Sequence, residues 1–221
     1  LKSQAEVFFK TNLCESLQQK KVVIVGCGPG SEEYLTYQAQ QEVRMAEVVI
    51  GPPRLVRLFA EINGQVIYPA QNIADTLKDI EQQLHNKKRT TVLVSGDPGC
   101  FSLSRIITER LGPERCRVIP GISSVQLAAA RLCLDWSRSQ VLSVHGRPVS
   151  TIASKINSNN PLFIMLGNNL SELAPLLEMT MRKKKVYLLQ NLGMESEEIH
   201  ELRCTEDFHQ NISSAALLVV K

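Results

Sequence analysis

Three short segments carry residue types that can meet a small ligand, and each follows an apolar run. Gly26-Cys27-Gly28-Pro29-Gly30-Ser31 follows Lys21 and the β-branched Val22-Val23-Ile24-Val25. Gly96-Asp97-Pro98-Gly99 follows Thr91 to Ser95, and Pro120-Gly121-Ile122-Ser123-Ser124 follows Arg117-Val118-Ile119. Glycine at the end of a buried strand lets backbone approach a ligand closely, because no Cβ intervenes. The first turn reads at first as a phosphate cradle, but its spacing is wrong for one. A dinucleotide fingerprint needs G-x-G-x-x-G and an acid at the tip of the second strand. Here the spacing is G-x-G-P-G, Pro29 removes an N–H, and the second strand ends in Ile50-Gly51-Pro52. There is no G-x-x-x-x-G-K-[ST] either. A nucleotide-binding oxidoreductase is therefore disfavoured.

Asp97 is open to two readings. Its carboxylate at a strand's carboxyl end could accept hydrogen bonds from a ribose or an ammonium. Asp-Pro-Gly is equally a strong turn tripeptide needing no ligand. Ser123 or Ser124 reads as a helix N-cap, or as a hydroxyl holding a polar ligand. His145, at the end of the strand Val141 to Val144, is an acid–base candidate because imidazole titrates near neutrality. The competing account is a strand-end imidazole bonded to backbone. Arg147, Arg54 and Arg105 could steer anionic groups on a substrate or could be solvated surface cations.

Strands and helices alternate around these turns. Strands are expected at 22–25, 48–50, 66–68, 91–95 and 117–119. Helical spacing follows Thr36, joins Leu55, Leu58 and Phe59, spans Ile73 to His85, and runs from about Ser102 to Leu111. That rhythm predicts an α/β fold with a mostly parallel sheet. Beyond Pro120-Gly121 comes an alanine-rich helix from Ser123 to Cys133. It is followed by strands at 141–144, 162–166, 186–189, 199–204 and 215–220, with a helix around Leu173 to Thr180. Consecutive strands at the end predict a mixed sheet. The expected division is an extension over 1–20, an α/β domain over 21–119 and a second α/β domain over 120–221.

Composition bounds the rest. The 221 residues are 43% hydrophobic and 21% charged with a net charge of +3, ordinary for a soluble globular chain and not pointing to a nucleic-acid binder. Arg182-Lys183-Lys184-Lys185 reads as a solvated helix end. The six cysteines form no CxxC pair, and only His200 and Cys204 are close. No metal site is expected, and the thiols read as reduced in a cytoplasmic protein. No apolar run is long enough to span a membrane, and Val7-Phe8-Phe9 is too short for a signal segment.

Gly26 to Gly30 with Leu35-Thr36, Gly96-Asp97-Pro98 and Pro120 to Ser124 together resemble the tetrapyrrole methylase family in order and spacing. The stretch Ser124 to Leu132, with His145-Gly146-Arg147-Pro148 and Asn191-Leu192-Gly193, is similar to its cobalt-precorrin-7 C5-methyltransferase branch. The resemblance covers about residues 21 to 221. It implies two α/β domains with the active site in the cleft between them, a homodimer, and methyl transfer from S-adenosylmethionine to a carbon of a precorrin. It further implies that Gly96, Asp97, Pro98, Cys100, Phe101, Ser123, Ser124, Val125, Leu166, Gly167, Asn191 and Leu192 line the cofactor. Gly28, Pro29 and Gly30, with Arg54 and Arg105, should face the tetrapyrrole, and His145 and Arg147 become the catalytic candidates. The sequence departs from the family at Cys100 and Ser102, where an aromatic and a glycine are expected, and at Leu166-Gly167-Asn168, where Leu-Thr-Asp is common. Ending where a C15-methylating module would begin, the chain is expected to act at C5 alone, with a separate C15 enzyme. Action on another tetrapyrrole carbon or on diphthine, or tetrapyrrole binding without catalysis, are the alternatives.

Overall fold

The computed structural model describes residues 21–69, 72–144, 148–156, 158–166, 170–204, 207, 212–213 and 215–221. These residues form two compact units, one ending at Ile122 and the other beginning at Ser123.

The first unit is a five-stranded sheet of β1 (Val22–Gly26), β2 (Val48–Ile50), β3 (Gln65–Ile67), β4 (Thr90–Val94) and β5 (Cys116–Ile119), in the order β3-β2-β4-β1-β5. Every pairing in it is parallel. Parallel strands covered on both faces must be apolar on both faces. β1 and β4 are accordingly buried along their whole length, Thr90 and Thr91 included. The helices are α1 (Tyr37–Arg44), α2 (Pro53–Val56), α3 (Ile73–His85) and α4 (Ser104–Leu111). Alternate residues of each strand separate their docking faces. Val23, Val25, Val49 and Leu93 pack with Ala39 and Val43 of α1 and Leu55 of α2. Val22, Ile24, Val48, Ile50 and Val92 pack with Ile80 of α3 and with Ile107 and Leu111 of α4. The chain therefore leaves β1 over one face and leaves its neighbour β4 over the other. That divergence is the topological switch point beside which ligands bind in open α/β sheets.

Local chemistry sets the helix limits. The Thr36 hydroxyl accepts from Ala39 N at 3.1 Å, and the Asn72 amide oxygen accepts from Asp75 N at 2.8 Å, so each caps the helix that follows. Gly112, at φ 89°, ends α4. The expected start of α4 at Ser102 moves to Ser104, because the Ser102 hydroxyl accepts from Ser104 N at 3.2 Å and forms a turn instead. β4 stops at Val94, one residue before the expected end, and Ser95 stands exposed beyond the ladder.

The second unit has a five-stranded mixed sheet: β6 (Gln140–Ser143), β7 (Leu162–Met165), β8 (Val186–Gln190), β9 (Glu198–Leu202) and β10 (Leu217–Val220), in the order β6-β7-β10-β8-β9. β6 and β7 are parallel, while β10 runs antiparallel between β7 and β8. β9 pairs antiparallel with β8 at the edge, so its alternation of residue types does not translate into burial, and only Leu202 is buried. The helices are α5 (Ser124–Arg131), α6 (Ser150–Ala153) and α7 (Leu170–Met181). The single turn α6 is too short to show periodicity in the sequence. Ile152, Ile164 and Leu173 share one core with Val186, Leu188 and Leu218. No helix among the described residues is long and apolar enough to cross a membrane.

One ion pair holds α1 to the outer strand β5. Arg117 donates to Glu42, whose side chain is only 8% exposed. Removing the cation would leave a carboxylate buried without its partner. Arg117→Ala is expected to lower unfolding free energy in urea at pH 7 by about 2–3 kcal/mol. A loss below about 0.5 kcal/mol would mean that water replaces the guanidinium at no cost.

Candidate functional site

In the first unit, the loops after β4, β1 and β5 leave neighbouring strands at one edge. The register sets Gly26 opposite Val94, and Val25 opposite Ile119. Beyond the strands the loops are joined backbone to backbone. Cys27 N donates to Val94 O at 2.9 Å. Gly28 N donates to Gly96 O at 3.3 Å and Gly96 N to Gly28 O at 2.8 Å, which makes an antiparallel bridge. A Cβ on Gly26 would lie 2.7 Å from Gly121 N, Gly96 O and Pro98 Cδ, and one on Gly121 would lie 2.4 Å from Gly96 O. The glycines at 26 and 121 are thus required by close approach of three loops. Gly28 is required by its φ of 71°.

Asp97 fastens the same junction. One carboxylate oxygen accepts from Gly99 N at 2.8 Å, closing its own turn, and the other accepts from Gly121 N at 3.1 Å. It therefore acts as a turn former and also ties the β4 loop to the β5 loop. Its neighbours differ in character. Pro98 is buried, Cys100 half-buried, and Phe101 is 47% exposed at φ 48°. A non-glycine residue held in the left-handed region costs about 1–3 kcal/mol and persists where its surroundings enforce it. Burial, and next the Asp97 carboxylate, push the Cys100 thiol above its ordinary range. Burial pushes the Cys27 thiol up to about 12, so Cys27 behaves as a small core residue and contributes backbone to the turn.

The basic residues fall in different places. Arg54, in the single turn α2, donates to the Ser95 hydroxyl at 2.9 Å, at the same edge as the glycine loops. Arg105 instead pairs with Glu109 at 2.9 Å along α4, and its side chain is 73% exposed. Pro29 and Gly30 are partly exposed, and Ser31 caps a short 3-10 turn over Glu32–Tyr34. A hollow of about 550 Å³ in this unit is lined by Glu32, Leu35, Arg44, Phe59 and Glu61, among others, and contains none of the expected site residues.

In the second unit, Ser123 makes a capping box with Gln126. The Ser123 hydroxyl accepts from Gln126 N at 3.1 Å, and Ser123 N donates to Gln126 Oε1 at 2.8 Å. Ser124 opens α5, and Val125 is buried. Leu166 is buried at the end of β7. Asn191 follows β8 at φ 49°, its side chain accepting from the Ser213 hydroxyl at 2.7 Å, and Leu192 is buried beside it. Glu197 stabilises that turn by accepting from Gly193 N at 2.7 Å and from Arg131 Nε at 2.6 Å. Neither Ser95 nor Glu197 stands out in the sequence. Ser95 reads as strand, and Glu197 sits among other glutamates like an ordinary solvated face. His145, Arg147 and Gly167 lie outside the described residues. Among the described residues no group of three or more His, Cys, Asp or Glu side chains could hold a metal ion.

Residues 21–206 match the profile of the Tetrapyrrole (Corrin/Porphyrin) Methylases. The chain is 34% identical over 185 residues to a Methanocaldococcus jannaschii protein named "Probable cobalt-precorrin-7 C(5)-methyltransferase", covering 80% of this chain and 87% of that one. The solved Cobalamin Biosynthesis Precorrin-6Y Methylase from Archaeoglobus fulgidus superposes with a TM-score of 0.71 at 24% identity, over 91% of this chain and 97% of that one. The Uroporphyrin-III C-methyl transferase from Thermus thermophilus, solved with S-adenyl homocysteine, gives a TM-score of 0.71 at 16% identity, over 90% of this chain and 96% of that one.

Two measurements check the local chemistry. At pH 8 iodoacetamide is expected to leave Cys27 unmodified in the native protein and to label it after denaturation, as read by peptide mass; native labelling would contradict its burial. The Glu197 carboxyl is held below its ordinary value of 4.5, first by the Arg131 hydrogen bond and also by Gly193 N–H, against burial. A depressed carboxyl stabilises fully above its unfolded value and loses that contribution as pH falls through the folded value. Glu197→Gln should therefore cost about 1 kcal/mol at pH 7, with the difference from wild type shrinking below pH 4.5. A difference constant from pH 7 to pH 3 would remove the charge from the account.

Proposed function

The chain belongs to the tetrapyrrole methylase family, whose members are S-adenosylmethionine-dependent C-methyltransferases, and we propose that it methylates C5 of precorrin-7 or its cobalt form. The observation that carries this reading is the 34% identity over 185 residues to the relative named for that reaction. The donor set of the β4 loop fits the cofactor. It offers backbone groups, an exposed aromatic ring at Phe101 and, in Asp97, a carboxylate, the charge sign that suits a sulfonium or an ammonium. In this proposal Gly96 to Phe101 hold the cofactor.

When bound, S-adenosylmethionine supplies an electrophilic methyl group, and an electron-rich macrocycle carbon can receive it without prior deprotonation. The protein's main task is then alignment of carbon, methyl and sulfur. Asp97 contributes rigidity, because one carboxylate oxygen closes its own turn at Gly99 and the other ties that turn to the β5 loop at Gly121. Cys100 contributes by staying a neutral thiol. A thiolate beside a methyl donor would compete as nucleophile, and burial together with Asp97 disfavours that form. In this proposal Gly28, Pro29 and Gly30 face the macrocycle, and the two glycines add no side chain to bar a large flat ring. His145 is the proposed acid–base group on its chemistry alone.

S-adenosylhomocysteine titrated by calorimetry should bind wild type, and Asp97→Ala should bind at least about tenfold more weakly while keeping a native circular dichroism spectrum. Equal affinity would take Asp97 out of the site. Labelled S-adenosylmethionine offered with a series of precorrins should mark only precorrin-7 or its cobalt form, and mark it at C5. Label on another carbon would replace the assigned reaction, and no binding at all would remove the methyltransferase reading.

A further inference from the structure

In the first unit Arg44, Arg105, Arg110 and Arg117 each sit against a glutamate. Two others donate to neutral oxygens: Arg89 to Met45 O, and Arg54, among the described residues, to the Ser95 hydroxyl at 2.9 Å. Both ends of that contact are anchored. Arg54 follows Pro53 in α2, whose Leu55 is 1% exposed in the core, so the helix cannot roll away from the sheet. Ser95 stands between Val94, the last residue of a buried strand, and Gly96, which is bridged to Gly28. The guanidinium also lies close enough to the glycine turn for its charge to act on Cys27.

A guanidinium has five N–H donors. One is used to orient the group, no carboxylate among the described residues neutralises it, and it stands at the sheet edge where the β1 and β4 loops diverge. A hydroxyl orients a cation without cancelling its charge, which is the arrangement suited to receiving an anion from solution. A planar fork of this kind matches a carboxylate. We propose that Ser95 is a positioning residue that aims Arg54 to bind a peripheral carboxylate of the tetrapyrrole substrate. The proposal rests on the tetrapyrrole reading above, and it adds the device that makes Arg54 selective for an acidic macrocycle. Ser95 does not touch the substrate in this account; it acts through Arg54.

The probe is uroporphyrin III, an octacarboxylic porphyrin, titrated by absorbance into wild type, Arg54→Ala, Ser95→Ala, Ser95→Thr and the double alanine variant. S-adenosylhomocysteine calorimetry is run on each. Arg54→Ala should weaken porphyrin binding about tenfold, as expected for losing a charge-assisted contact, and Ser95→Ala about fivefold. Ser95→Thr, which keeps the hydroxyl, should stay within about twofold of wild type, and the double variant should bind no more weakly than Arg54→Ala, since the two act as one unit. S-adenosylhomocysteine affinity should be the same throughout. The proposal is overturned if Ser95→Ala binds porphyrin like wild type, if its loss adds in full to that of Arg54→Ala, if Ser95→Thr fails to restore binding, or if wild type binds no porphyrin. A parallel loss of S-adenosylhomocysteine binding would likewise overturn it, by showing that the loop itself had moved. Failure of the methyltransferase reading is separate: it appears as no S-adenosylhomocysteine binding by wild type, and the porphyrin comparison still decides the role of Ser95.

Discussion

The backbone contact between Gly28 and Gly96 is the constraint around which the first unit is arranged. Two loops that diverge over opposite faces of a sheet would ordinarily part at once. Here they are held together for one more pair of hydrogen bonds beyond the strands. That bridge requires backbone at van der Waals distance on all sides, which is why Gly26 and Gly121 have no room for a Cβ. Asp97 then reaches from one loop to the next and closes the junction to the β5 loop. The result is a rigid, mostly main-chain surface at the carboxyl edge of a parallel sheet, where open α/β folds place ligands.

Charge is distributed over that surface sparingly. Asp97 is committed to two N–H groups and Arg54 to one hydroxyl, while Cys27 and Cys100 are kept as neutral thiols by burial. Neutral thiols are poor nucleophiles, so in the proposed methyl transfer this surface would contribute alignment of donor and acceptor. The second unit repeats the pattern at its own strand ends. A capping box sets the start of α5, and Glu197 with Arg131 sets the turn after β8, where Asn191 takes a left-handed backbone.

Which parts of this were legible in the sequence follows from the range of the interactions. The strands declared themselves because β1 and β4 are buried on both faces and so read as short runs rich in β-branched residues. Helix starts at Thr36 and Ser123 were legible because caps are local hydrogen bonds. The three turns meet at one edge because each follows a strand of the same parallel sheet. The limits of β4 and β9 were not legible. Ser95 continues the residue pattern but not the ladder, and the alternation of β9 lies on an edge strand with little to bury against. Arg105 and Arg54 look alike in sequence. Only the neighbours supplied by folding, Glu109 for one and Ser95 for the other, separate a surface pair from an oriented cation.

The sequence by itself determined the α/β alternation, the mixed character of the second sheet, the places where backbone had to come close, and, through the spacing of its three motifs, the family. Those properties depend on residue type and short-range periodicity, which a linear string contains. The tertiary structure decided the strand order β3-β2-β4-β1-β5, the pairing of Gly28 with Gly96, the two-sided use of Asp97 and the contact of Arg54 with Ser95. Arg54 and Ser95 are 41 positions apart and Asp97 and Gly121 are 24 apart. No local rule joins residues at such separations. They meet because burying both faces of a parallel sheet forces its crossovers, and the crossovers bring the strand ends to one edge.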